Sequence, residues 1–306
     1  MRKIKKLLEN DLILFRIGIL WRLITIPILS LVFNIIFLSI FLQFNLLFFE
    51  SQGYLQVEQL QGAFYDFIFS RLLIYVPYFI GFIALLAFLG IYVSRLLLRP
   101  FKLIAEYCQG TIDGKRVSYD PEFFRDLKLL TSFSEWFFNS VESAMKNKEL
   151  KGLIIPKKFQ KIHRPIFETS FFLHYSFLLS LGMIAAGIGV HMFAIDIHSH
   201  LIELSQVTLK KSKVIGYFMG GQVDLFDSVT IFTLTLHLLL HIFLLIRLHG
   251  MVATPAFALF STMRGFIKGN LNAKAHLVGH YYLRDYFRIF NQYLGHVKNS
   301  IGDEKK

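Results

Sequence analysis

The sequence predicts an all-α membrane protein in which four transmembrane helices form two pairs, each followed by a helix–connector–helix segment. Three observations predict it. The first is apolar content: 54% of the 306 residues are hydrophobic and 16% aromatic, 34 of them Phe, with a mean hydropathy of +0.51. A soluble domain is about 45–50% apolar, its apolar positions dispersed at helix or strand period. Here they gather into four long runs. The second observation is where the basic residues fall, and the third is a pattern that occurs twice at a fixed offset. Only 7 Pro and 20 Gly argue against a disordered or collagen-like chain, and the single cysteine, Cys108, excludes an internal disulfide framework or a Cys-rich metal site.

About 20 apolar residues are needed to cross roughly 30 Å of hydrocarbon. Leu23 to Phe49 meets that with no charge, and Leu72 to Ser94 does so between Arg71 and Arg95. Phe171 to Ala194 is the third run; Val229 to Ile246, extended to Phe226 and Leu248, is the fourth. No small-residue cleavage site follows the first run, which is expected to stay as an anchor. Residues 1–22 hold six Lys/Arg, residues 95–164 fourteen and residues 247–306 nine. The two other connections hold one, Arg71, and three, Lys210, Lys211 and Lys213. The positive-inside bias then places both termini and the middle segment in the cytoplasm, as in a bacterial inner membrane. The formal charge of +12 is read as a topology signal rather than as nucleic-acid binding. The outer connections, about 20 and about 33 residues by these limits, are too short for a sensor domain of ordinary size.

The expected organisation is a basic segment (1–22), a first helix pair (23–94), a helix–connector–helix segment (95–147) and a basic return linker (148–170). A second pair (171–247), a second segment (248–302) and a tail (303–306) follow. The return linker is expected to touch anionic headgroups.

The repeated pattern lies after each pair. Arg99-Pro100-Phe101-Lys102-Leu103-Ile104 and then Ile112-Asp113-Gly114 follow the second span. Thr254-Pro255-Ala256-Phe257-Ala258-Leu259 and then Ile267-Lys268-Gly269-Asn270 follow the fourth. Pro100 and Pro255, Ile112 and Ile267, and Gly114 and Gly269 are each 155 apart, which implies a duplicated unit. Each proline is expected to begin a new helical stretch at the membrane exit. Ile104, Cys108, Thr111 and Ile112 share one face of the first short helix, and Leu259, Met263, Phe266 and Ile267 one face of the second. Gly114 and Gly269 are expected to end those helices in the left-handed conformation. In the longer helix that follows, Leu283, Phe287, Phe290, Leu294, Val297 and Ile301 alternate by four and three. Leu127, Leu130, Ser134, Phe137, Val141 and Ala144 make a weaker seam of the same kind in the first half. Two such seams need a second copy, which gives a parallel four-helix coiled-coil bundle.

These segments resemble a HAMP domain, the parallel coiled-coil linker of bacterial chemoreceptors and sensor kinases. The family pattern has Pro at the start, Gly fourteen residues later and Phe-Asn some twenty-two beyond. Pro255, Gly269, Phe290 and Asn291 match it, with Leu259 on the packed face. The first copy keeps Pro100, Ile104 and Gly114, but Phe138-Asn139 lies three residues late. Both copies depart from the family's Asp-Glu pair before the second helix; Tyr281-Tyr282 stands there in one and a displaced Asp126 in the other. The resemblance implies a homodimeric bundle or, because one chain carries two copies, an intramolecular pseudo-dimer.

No phosphate-binding loop, nucleophile elbow or metalloprotease spacing occurs in the sequence. The expectation is therefore no enzymatic activity and no cofactor, and, since the sequence ends at Lys306 after the second seam, a signal output on a separate protein partner. Gly187 and Gly189 lie inside a run, where small residues let helices approach. His237 and His241 share one face of the fourth run, with His174 and His191 in the third. These either hydrogen-bond between helices, bind haem or metal (His174 against His241), or relay protons. Asn34 is expected to bond a neighbouring helix, Arg71 to anchor an interface, and His198 with His200 to offer two metal ligands at most. The function expected is a membrane signalling or adaptor protein in the lipid bilayer. A static scaffold and a small transporter or haem-containing redox subunit are the alternatives.

Overall fold

The computed structural model describes residues 11–53, 57–115, 117–120, 127–147, 154–160, 168–208 and 213–302. Among these residues there is no strand. The helices are α1 (Asp11–Ser51), α2 (Val57–Ile112), α3 (Lys128–Asn147), α4 (Thr169–Thr208), α5 (Lys213–Ile267) and α6 (Arg284–Gly302). Short 3-10 turns stand at Lys157–Phe159 and Tyr281–Leu283. Helices α1, α2, α4 and α5 are each long and apolar enough to cross a membrane.

Those four helices hold 41, 56, 40 and 55 residues. At 1.5 Å per residue even the shortest is about 60 Å long, twice the hydrocarbon thickness. The sequence boundaries shift accordingly. The outer connections shrink to the few residues between Ser51 and Val57 and between Thr208 and Lys213, because the polar ends of the spans stay helical. Pro100 and Pro255 lie inside α2 and α5 and start no new helix. Each costs one backbone bond, to the carbonyl four residues earlier, and a helix packed on both sides of the proline tolerates that loss. The first of the two longer helices begins at Lys128; residues 121–126, Asp126 included, lie outside the described residues, as do Lys210, Lys211 and most of the return linker.

The chain forms two compact units. The first contains Leu20–Gly90 and Leu178–Leu244. Its core is mostly aromatic and aliphatic, with Phe41, Phe49, Phe64, Phe193 and Phe226 fully buried. Its outer faces are also apolar: Phe44, Phe69, Phe88, Leu181, Leu239 and Phe243 are exposed. Only 6% of the most apolar stretch of α2 is buried within the chain. An apolar surface of that extent has no stable contact with water and fits lipid. Glycines set the closest approaches. A Cβ on Gly182 would lie 2.5 Å from Leu89 Cδ1, and one on Gly189 would lie 2.7 Å from Phe82 Cε2, so a side chain at either position would force Leu89 or Phe82 of α2 to shift.

The second unit contains Met1–Ile19, Ile91–Phe177 and Leu245–Lys306. Aromatic pairs fix which helices meet. Phe101 and Tyr107 of α2 pair with Phe287 and Tyr293 of α6, each at 6.3 Å between ring centroids. Phe133 and Phe137 of α3 pair with Phe260 and Phe266 of α5 at 4.2 and 6.3 Å. Both pairings advance in the same chain direction, so the partnered helices are parallel. Phe138 joins them, 4.2 Å from Tyr107 and 5.6 Å from Tyr293.

Helix α3 begins on a borrowed cap. Glu168 precedes α4, its own carbonyl accepting the Phe172 N–H at 2.9 Å, while its side-chain Oε1 accepts the Leu129 N–H of α3. The Lys128 and Leu130 N–H groups hold the same carboxyl. A carboxylate is favoured at a helix N-terminus, where backbone donors have no helical partner. Burial is nonetheless the larger influence and pushes the Glu168 carboxyl above the usual range, the backbone donors offsetting part of it. A raised native value means that ionisation costs more folded than unfolded. The contribution of Glu168 is therefore full below the ordinary carboxylate range and declines as pH rises through the native value. Thermal melts in detergent should show Glu168→Ala losing about 1–2 kcal/mol. Glu168→Gln should keep an acceptor and lose the part of the pH dependence that lies above the ordinary carboxylate range.

Candidate functional site

The residues singled out in the two segments gather in the second unit. Pro100, Ile104, Cys108 and Phe101 are buried on α2; Pro255, Leu259, Met263 and Phe266 are buried on α5. Gly114 has φ 70° and Gly269 φ 98°, a region that admits glycine without a Cβ penalty. The Gly114 N–H donates to Thr111 and the Lys115 N–H to Gly110; the Gly269 N–H donates to Phe266 and the Asn270 N–H to Gly265. Both helix ends thus close their last carbonyls by similar paired bonds. Leu127, Leu130, Phe137 and Val141 are buried, as are Leu283, Phe287, Phe290, Leu294 and Val297. Leu127 precedes α3 and Leu283 sits in the 3-10 turn before α6, so each seam starts ahead of its helix. Ser134 lies against a soft partner, its hydroxyl 3.8 Å from Met263 Sδ.

The connectors differ. Asn291 clamps the second one: its amide oxygen accepts the Ala275 N–H at 2.8 Å and its amide nitrogen donates to the Ala275 carbonyl at 3.0 Å. Lys298 adds a bond to Asn272 Oδ1 at 2.7 Å. In the first half Phe138 is buried but Asn139 is exposed, so the aromatic position is used and the amide clamp is not.

The most informative contact involves Pro255. Without an N–H it cannot donate to the carbonyl of Met251, four residues earlier. The Tyr282 hydroxyl donates to that carbonyl at 2.8 Å. His280 Nδ1 lies 2.8 Å from the same hydroxyl oxygen and donates to it. Burial lowers the His280 pKa, favouring the neutral ring. Phe15 of α1 stacks on Tyr282 at 4.1 Å. One tyrosine thus ties α5 at its proline, the second connector and α1 together. The sequence shows the departure from an acidic pair at Tyr281-Tyr282, but no spacing identifies the carbonyl it serves. Tyr293 is fully buried, which pushes its phenol far up and keeps it neutral.

The histidines in the apolar helices form a separate set. Ser30 Oγ is 2.8 Å from His237 Nδ1, and His237 Nε2 is 3.2 Å from the Met183 carbonyl. The Ser30 hydroxyl also donates to the Ile26 carbonyl of its own helix at 3.1 Å. Gly187 admits the ring, since a Cβ there would come within 3.3 Å of Nε2. His241 Nε2 meets Ser180 Oγ at 2.8 Å. His174, expected as its possible haem partner, is exposed. His191 is buried with neither ring nitrogen bonded among the described residues. Asn34 bonds its own helix instead of a neighbour, donating to the Ser30 carbonyl at 2.8 Å, one turn earlier in α1.

Arg71 does more than anchor an interface. It donates to His200 Nε2 at 2.9 Å, stands 4.0 Å from Asp196 and lies 5.3 Å over the Phe67 ring. His200 Nδ1 then donates to the Asp196 carbonyl at 3.2 Å. His198 instead stacks on Phe226 at 3.9 Å, so the two histidines are engaged separately. No cluster of three or more potential metal ligands occurs among the described residues.

Comparison of the chain with protein-family models, curated proteins and solved structures gives no match. The residues themselves must carry the functional reading.

The Tyr282–Met251 bond and Pro255 form a testable pair. Tyr282→Phe should cost about 1 kcal/mol in the native sequence. In a Pro255→Ala background the alanine N–H supplies the Met251 carbonyl, and the same change should cost less than half as much. A double-mutant cycle on thermal stability reads the coupling.

Proposed function

We propose that this protein is a non-enzymatic signal-transduction or adaptor protein of a bacterial inner membrane, with four spans and both termini cytoplasmic. Its second unit acts as an intramolecular HAMP-like four-helix bundle built from two related segments. The observation that carries this reading is the reciprocal parallel pairing of α2 with α6 and α3 with α5. In each pair one helix continues from an apolar run and the other follows a glycine-ended connector. The similar closures at Gly114 and Gly269 support a duplicated origin. A rotation or axial shift of α2 or α5 within the bilayer changes the register of its aromatic partner on α6 or α3. A protein partner reads the exposed side of those helices.

The unbroken helices support a relay because an α-helix transmits rotation and translation along its axis without a joint. Arg71, on α2 and bonded to His200 of α4, is a suitable point to disturb. The hydrogen bonds of His237 and His241 favour a packing role over haem ligation, and Nε2 of His241 is already occupied by Ser180.

Disulfide trapping tests both parts. In a Cys108→Ala background, Ser134→Cys with Met263→Cys puts one thiol on each side of the contact in which Ser134 Oγ and Met263 Sδ stand 3.8 Å apart. Oxidation in membranes should give a faster-migrating monomer; a dimer-sized band would replace the pseudo-dimer by a homodimer. Adding Arg71→Ala should change the trapping rate about twofold or more if the bundle is coupled to the spans. An unchanged rate would make the bundle a static scaffold.

A further inference from the structure

Arg71 stands one residue before the second apolar run and His200 a few residues beyond the third, on the side opposite the basic segments. Their contact fits only one charge state of the ring. A guanidinium has donors and no acceptor, so its 2.9 Å bond to His200 Nε2 needs a lone pair on that nitrogen. Nδ1 lies 3.2 Å from the Asp196 carbonyl, which can only accept, so the ring proton is on Nδ1. The ring stacks on Phe67 of α2 at 5.4 Å, and the same Phe67 lies under the guanidinium.

A second acceptor for this guanidinium is already in place. Asp196 Oδ2 stands 4.0 Å from Arg71 and is buried without a hydrogen-bond partner among the described residues. The other oxygen, Oδ1, stands 3.8 Å from His200 Nδ1. The carboxyl group therefore lies beside both side chains and bonds closely to neither; the Tyr75 phenol of α2 faces it as well. A proton added at Nε2 removes the lone pair that holds Arg71 and sets two cations 2.9 Å apart. Arg71 then has Asp196 Oδ2 as its nearest open acceptor, and the charged ring has Oδ1. The His200 side chain is 35% exposed, so water can deliver the proton, whereas His198 is buried against Phe226. Among the described residues no hydrogen bond or ion pair reaches His200 from α1 or α5. The exposed Asp66 of α2 and Glu203 of α4 make none with it either.

From this geometry we infer that His200 is a proton-binding site whose occupation moves Arg71 from His200 Nε2 to the Asp196 carboxylate. Acidity of the water on that side thereby changes the tie between α2 and α4 from a neutral acceptor to a charged one, one helical turn nearer the apolar run. Histidine is the side chain suited to this, since its charge changes between about pH 5 and 8. The consequence for the bundle rests on the relay proposed above; the change of partner does not.

Nitrogen-15 NMR of the full chain in nanodiscs, labelled at histidine and arginine, tests the change of partner. The His200 signals, assigned by their loss in His200→Gln, should show one protonated ring nitrogen at about pH 7.5 and two at about pH 5. The Arg71 side-chain signal should move with the same midpoint. In Asp196→Asn that midpoint should fall by about half a pH unit or more, because the charged ring loses its counter-ion. Glutamine keeps an acceptor for Arg71 and gains no proton, so in His200→Gln the Arg71 signal should stay fixed over this range. A charged ring at about pH 7.5, a ring still neutral at about pH 5, or an Arg71 signal that ignores the titration would overturn the proposal. So would an Arg71 signal that still moves in His200→Gln, which would assign the response to another group. Disulfide trapping of Ser134→Cys with Met263→Cys reads the relay separately, with His200→Gln as the reference for the effect of pH on the thiols. A change of about twofold or more relative to that variant is expected. A normal NMR response with unchanged trapping would overturn the relay and leave the proton site standing.

Discussion

A backbone in hydrocarbon must satisfy its own hydrogen bonds, and this constraint shapes most of the molecule. It makes a break in a helix expensive near the bilayer, so α2 and α5 pass through Pro100 and Pro255 rather than stopping there. The one carbonyl that Pro255 orphans is not left to chance. Tyr282 reaches back from the connector and occupies it. The same contact that repairs the helix therefore fixes where the second connector lies, and through Phe15 it also fixes the N-terminal part of α1. The start of α6, two residues further on, inherits its position from this bond.

The second dependence is on parallel pairing across the two halves. Phe101 and Tyr107 meet α6, while Phe260 and Phe266 meet α3, so neither half buries its apolar face by itself. Ser134 and Ala144 make the first seam thin, and the bulk that fills it comes from Met263, Phe260 and Phe266 of the other half. Large rings opposite small residues give interdigitation without voids. Stability of this unit is accordingly a property of the whole chain.

Much of this was legible in the residues. Four apolar runs, their basic flanks and the period-155 pattern set the helical class, the number of candidate spans and the residues that form the packed faces. Helix ends were less legible. Patterning reports where apolar faces change, but α2 remains one helix through Ser94 and Pro100 because nothing there makes an alternative conformation cheaper. Contacts between distant residues were not legible at all. Glu168 looks like a solvated acid at the edge of a linker, and only the fold brings it to the first turn of α3. Tyr282 looks like a substituted acidic position until the carbonyl of Met251 appears beside it. His200 carries the same lesson: as a neighbour of His198 it suggests a metal pair, whereas its partner is Arg71, 129 positions away.

The cap at Glu168 has a consequence for how far the two halves are interchangeable. Helix α3 takes its starting acceptor from the residue that opens α4, and its flank is covered by Phe159 from the 3-10 turn, 5.1 Å from Phe133. Among the described residues α6 has no such carboxylate at its start; a tyrosine-bearing turn precedes it. Two identical copies of the N-terminal half would each have to keep Glu168 and the start of α4 to cap α3. The covalent join between the halves has thus become structural material.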